Sequence, residues 1–81
     1  MTKGEYRVGI NFNPSNDDRV AKIKRAAADL IDLIDSIPGV QTRMDDVHGR
    51  EVSRLKALAQ TDIESAAMWA VKAATKPSME N

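Results

Sequence analysis

The stretch Asp17-Asp18-Arg19-Val20-Ala21-Lys22-Ile23-Lys24-Arg25-Ala26-Ala27-Ala28-Asp29-Leu30-Ile31-Asp32-Leu33-Ile34-Asp35-Ser36-Ile37-Pro38-Gly39 decides the fold. Val20, Ile23, Ala27, Leu30, Ile34 and Ile37 recur at steps of three and four, which sets them along one side of an α-helix. Ile31 and Leu33 widen that stripe. The start is marked as well. Pro14 disfavours helix at Asn13, Ser15 or Asn16 can cap the exposed amides, and Asp17 and Asp18 put negative charge at the positive end of the helix dipole. Pro38-Gly39 makes continuation unfavourable. These signals predict a helix over 15–37, with about 20 helical residues spanning roughly 30 Å.

Working outward, Gln41 to Lys76 contains no proline and one glycine, Gly49. Met44, Val47, Val52, Leu55, Ala59, Ile63, Ala66, Ala70 and Ala73 or Ala74 form a second stripe at helical spacing. The expectation is a second helix over 41–76, with its main run from about 50 to 75 and a kinked opening turn at Met44 to Gly49. Pro77 ends it, and 77–81 is a polar tail. On the other side, Tyr6, Val8, Ile10 and Phe12 alternate with other residues between Gly4 and Pro14, as in an extended backbone. No partner strand is evident, so 1–14 reads as an extended N-terminal arm packed on something helical. The fold class is therefore all-α: one domain over 1–81, an antiparallel two-helix hairpin with an N-terminal arm.

Composition narrows what such a hairpin does. A chain of 81 residues buries a limited core, and chains of this size draw on disulfides, metals or partner subunits. There is no cysteine, and His48 is the single histidine, which leaves association with further copies. The segment Ala66-Ala67-Met68-Trp69-Ala70-Val71-Lys72-Ala73-Ala74 is apolar around most of its circumference and expects neighbours on more than one side. Met68, Trp69 and Val71 are the candidate oligomer interface, and a Trp within an alanine-rich surface is more often such an anchor than a ligand-stacking group. Twelve basic and twelve acidic residues cancel, against the basic excess expected of a protein that coats long nucleic acid. The apolar runs are too short to span a membrane, and the N-terminus lacks a secretion-signal core. A cytoplasmic location follows as an expectation.

The sequence lacks the constellations of catalysis. No cysteine nucleophile, triad setting, glycine-rich phosphate loop or metal-ligand motif is recognisable. Asp45, Asp46 and His48 read as a solvated helix start before they read as a metal site. Asp32 and Asp35 read as a charged outer face and not as an acid–base pair. The expectation is a binding protein, not an enzyme, with no cofactor. Tyr6 and Phe12, with Trp69 the only aromatics, could stack a nucleobase, and Arg19, Lys22, Lys24 and Arg25 could hold phosphates. Composition and spacing alone favour the plainer alternative, in which the aromatics anchor the core and the basic residues are a solvated face.

Asn11-Phe12-Asn13-Pro14-Ser15, Val20-Ala21-Lys22-Ile23-Lys24 and Leu30-Ile31-Asp32, in that order, are similar to the opening of the phage anti-CBASS sponges. Arg50-Glu51-Val52-Ser53, Ala59-Gln60-Thr61-Asp62-Ile63-Glu64 and Ala67-Met68-Trp69-Ala70-Val71-Lys72-Ala73 resemble that family's second helix. The likeness covers about Asn11 to Pro77 and rests on order and spacing, not on one motif. It implies a helical hairpin assembled into hexamers that sequesters cyclic dinucleotides such as cyclic GMP-AMP, and in some members cyclic trinucleotides at a separate site, inside the infected bacterial cell. No bond is broken: the messenger is withheld from the effector of the antiphage system. The resemblance carries a ligand-contacting lysine onto Lys24 and a base-stacking aromatic onto Phe12, in preference to Tyr6. Where an arginine is expected before the threonine of the second helix, this chain has Gln60. The end of that helix, near Lys72, Thr75 and Lys76, is where the trinucleotide site is expected. The alternative to a sponge is a helical module that docks on a host protein and inhibits it.

Overall fold

The computed structural model describes residues 1–39 and 46–79. Within these residues there are three helices and no strand: α1 (Lys3–Val8), α2 (Asp18–Asp35) and α3 (Val47–Ala74). Residues 40–45, which hold the predicted start of the second helix together with Met44 and Asp45, lie outside the described set, as do the last two residues of the tail.

The N-terminal segment corrects the expectation of an extended arm. Thr2 and Glu5 form a reciprocal cap: the Thr2 hydroxyl accepts from the Glu5 amide at 3.1 Å, and the Thr2 amide donates to the Glu5 carboxylate at 2.8 Å. This satisfies two amides that a helix start leaves open. Gly9 ends the helix in the left-handed region at φ 64°, and its amide donates to the carbonyls of Glu5 and Tyr6. A side chain at such a φ is disfavoured, so glycine suits the stop. The alternation of Tyr6, Val8, Ile10 and Phe12 is thus not a strand face, and Tyr6 is 77% exposed.

α2 begins later than predicted, because the cap is Asp17 and not Ser15 or Asn16; its carboxylate accepts from the Arg19 amide at 2.7 Å. Asn16 instead takes a left-handed conformation at φ 54°, which asparagine tolerates better than most residues. The helix ends at Asp35, two residues short of the predicted Ile37. α3 starts at Val47 with Asp46 as its cap and ends at Ala74, inside the predicted 41–76.

The buried line of α2 is Val20, Lys24, Ala28 and Ile31, rotated from the predicted stripe so that Leu30, Leu33 and Ile37 are exposed. The reason lies in the partners. Gly4 of α1 presses onto α2 so closely that a Cβ there would sit 2.1 Å from the Ala28 carbonyl oxygen, and Gln60 and Ala67 of α3 close the same seam. Gln60 is 2% exposed. Its Nε2 donates to the Ile31 carbonyl at 3.1 Å and to Asp35 at 3.2 Å, while its Oε1 accepts from Lys3 at 3.0 Å. One buried amide thereby ties all three helices, its polar atoms matched as burial requires. Lys56 donates to the carbonyls of Asp35 and Ile37, a cation on the negative end of α2. These contacts run α3 antiparallel to α2.

Asp32 and Asp35 do not form the outer charged face expected of them. Asp32 accepts from the Gly4 amide at 2.7 Å, and Asp35 pairs with Lys3 at 3.0 Å. They are the docking points of α1.

Candidate functional site

The feature that sets the site is a lysine where hydropathy would place a methylene. Lys24 is 8% exposed. Its Nζ donates to the Gly9 carbonyl at 3.0 Å and to the Phe12 carbonyl, and lies 5.4 Å from the centroid of the Phe12 ring. A buried ammonium is tolerated only with such acceptors, and the aromatic face adds a further attraction. The turn that offers them is built by local bonds. Gly9 closes α1, and the Phe12 amide donates to the Gly9 carbonyl at 2.9 Å. Asn13 donates to the Asp17 carbonyl at 3.0 Å, Ser15 to Asn13 at 2.8 Å, and the Asp17 amide to Ser15 at 3.3 Å. The segment from Gly9 to Asp17 is therefore a hydrogen-bonded loop laid against the start of α2.

Two cavities flank Lys24. One, of about 210 Å³, lies between α1 and α3 and is lined by Arg7, Val8, Lys24, Glu64, Ala67, Met68 and Val71. The other, of about 220 Å³, lies under the loop and includes Phe12, Asn13, Ser15, Val20, Lys24, Val71 and Thr75. Lys24 and Val71 belong to both walls. In the first, Arg7 Nε donates to Glu64 Oε1 at 2.7 Å and its Nη2 approaches the Thr61 hydroxyl at 3.5 Å. The site therefore joins one buried cation, one partly covered ion pair, an aromatic ring and apolar walls.

Of the residues singled out in the sequence, Phe12 and Lys24 stand together, and Phe12 is 70% exposed and open to a ligand. Tyr6, Arg19 and Lys22 line neither cavity; Lys22 pairs with Asp18 on the open surface at 3.0 Å. Thr75 lines the loop cavity beside Phe12, and its hydroxyl donates to the Val71 carbonyl at 2.8 Å. Lys72 lies over the exposed Trp69 ring, at 5.6 Å from its centroid, and Lys76 is exposed. Met68 and Val71, read as interface residues, are also cavity walls. Gln60 is committed to the helix seam. Arg7 and Glu64 escaped the sequence reading, because 57 residues separate them and nothing local marks two opposite charges as partners. Among the described residues no group of histidine and carboxylate side chains could hold a metal ion, and no helix is long and apolar enough to cross a membrane.

Charge at the docking of α1 is similarly matched. Glu5 is held below its usual pKa, first by the Thr2 amide and then by Arg25, whose Nη1 lies 2.8 Å away. Asp35 is lowered by hydrogen bonds from Lys3 and then Gln60.

The Acb2/Tad1 hairpin-domain family matches residues 4–75, from Gly4 within α1 to Thr75 at the end of α3. The chain belongs to that family, the anti-CBASS cyclic-oligonucleotide sponges. The matched span takes in both cavities and the loop between them. No curated protein and no solved structure matches the chain. Sponges of this kind bind and withhold their ligands and do not transform them.

Proposed function

We propose that this chain sequesters cyclic dinucleotides of the cyclic GMP-AMP class at the Phe12–Lys24 site and so keeps them from CBASS effectors. The observation that carries the reading is the juxtaposition of a buried ammonium with an exposed aromatic ring, in a chain whose family membership spans nearly its whole length. Phe12 offers a face for one base, and Lys24 a charge for a bridging phosphate once it exchanges a carbonyl for the ligand. Tyr6, Arg19 and Lys22 then serve at most as surface charge and contact around the entrance.

The working form is a homo-oligomer, a hexamer in the family pattern, acting in the cytoplasm of an infected bacterium as a phage product. Trp69, Met68, Leu55, Leu58 and Leu33 are all exposed in the single chain, more apolar surface than a small monomer ordinarily leaves in water. A cyclic trinucleotide would be taken near Lys72, Thr75 and Lys76. The exposed apolar surface also suits a module that docks on a host protein, and one measurement separates the readings. Thermal unfolding with 3′,3′-cyclic GMP-AMP, and with a linear dinucleotide as control, should show stabilisation by the cyclic form alone. No shift across cyclic di- and trinucleotides would overturn the sponge reading in favour of the docking module.

A further inference from the structure

We propose that Glu64, held by Arg7 in the wall of the α1–α3 cavity, selects guanine as the base bound there; this rests on the sponge reading above. The cavity, of about 210 Å³, is smaller than the roughly 300–1,000 Å³ of sites that enclose whole drug-sized ligands. It suits a fragment such as one base, with the rest of the ring outside. Its walls are apolar at Val8, Ala67, Met68 and Val71, as the faces of a heterocycle require. Lys24, in the same wall, brings the charge that the adjoining phosphate needs.

The edge of the base is where Glu64 acts. The bond from Arg7 Nε goes to Oε1 alone, so Oε2 and the remaining lone pair of Oε1 can accept from a ligand. An ionised carboxylate only accepts. Guanine presents N1–H and the 2-amino group side by side, two parallel donors that match two carboxylate oxygens. Adenine presents a donor beside an acceptor, and its N1 lone pair would face an oxygen. Uracil and cytosine likewise set acceptors next to their donors. Arg7 makes the arrangement compatible with an anionic ligand: it balances the carboxylate charge, and the two side chains are only 24% and 35% exposed, so the pair is fixed in direction before a ligand arrives. A site built to accept two donors discriminates strongly against a base that lacks one.

The test is titration calorimetry on the unmodified protein with three ligands that differ only in base: cyclic di-GMP, cyclic di-IMP and cyclic di-AMP. The hypoxanthine ligand keeps N1–H and lacks the 2-amino donor. Cyclic di-GMP should bind at least about tenfold more tightly than either of the others. Glu64→Gln should remove that advantage and bind cyclic di-AMP at least as tightly as the unmodified protein does, because its amide sets an acceptor beside a donor; an unchanged thermal unfolding transition shows that the variant is folded. Equal binding of all three ligands, or a guanine preference that survives Glu64→Gln, overturns the assignment of Glu64. Failure of all three ligands while 3′,3′-cyclic GMP-AMP still binds also overturns the assignment of Glu64, whereas failure of cyclic GMP-AMP as well overturns the sponge reading itself.

Discussion

The two ends of the hairpin are stabilised by different means. Where α1 lies across α2 and α3, polar groups are buried and matched: Lys24 to two carbonyls, Gln60 to three partners, Arg7 to Glu64. Toward the turn, a cavity of about 270 Å³ is lined by Ile34, Ile37, Val52, Leu55, Lys56 and Ala59, and Leu33 is 66% exposed. Directional bonds fix one register of the three helices, whereas the apolar end tolerates many partners and repackings. The proposed binding residues, Phe12 and Lys24, sit at the directional end, which suits a ligand site that needs side chains held in one geometry.

Breaking the directional end at its tightest point should have the largest effect. Gly4→Ala puts a methyl group against the Ala28 backbone, where neither side can yield by side-chain rotation, and should cost about 3 kcal/mol in urea unfolding. If stability is unchanged, α1 does not dock as described. Next, Lys24→Met keeps the stem but leaves the Gly9 and Phe12 carbonyls without their cation. It should cost about 2 kcal/mol and weaken cyclic dinucleotide binding at least about tenfold, read by unfolding and calorimetry on the same preparation. At the apolar end, Leu55 is half exposed, so Leu55→Ala should cost only about 1 kcal/mol. A loss as large as that of Gly4→Ala would erase the contrast between the ends.

Acid should give the smallest effect and act on α1 first. Glu5 and Asp35 are both held below their ordinary values of 4.5 and 3.8. A carboxylate whose pKa is depressed by folding adds stability that is complete above its unfolded pKa and is lost as pH falls through the folded one. Amide resonances of Gly4 and Gly9 should therefore move toward their unfolded positions below about pH 4, the ordinary carboxylate range, before those of Ala28 and Ala67. Simultaneous loss would show that α1 and the hairpin unfold as one unit.

The hairpin itself was legible, because Pro14, Pro38-Gly39 and Pro77 bracket two long runs of helical period. α1 was not read, although the Thr2-x-x-Glu5 cap and Gly9 are its start and stop signals. A helix of six residues has too few turns to show a period, and Tyr6, Val8, Ile10 and Phe12 happened to alternate. The phase of the α2 stripe was missed for a different reason. Lys24 is polar yet buried and Leu30 is apolar yet exposed, and only the position of α1 decides this. Hydropathy registers what a side chain is, not which neighbour will satisfy it. For the same reason Arg7 and Glu64 were invisible, while Phe12 and Lys24 stood among several candidates by residue type and only the resemblance singled them out.

The carbonyls that hold Lys24 also bear on time. Its ammonium already has two acceptors and a ring beside it, so on the proposed reading an arriving phosphate has to displace a carbonyl and does not meet a free charge. The same carbonyls stand ready to reclaim the ammonium, so a slow exit has to come from what the ligand touches beyond Lys24, the Phe12 ring first. Differences in affinity among related complexes lie mostly in the dissociation rate. A chain that acts by keeping a scarce molecule out of circulation gains more from a slow exit than from a fast capture.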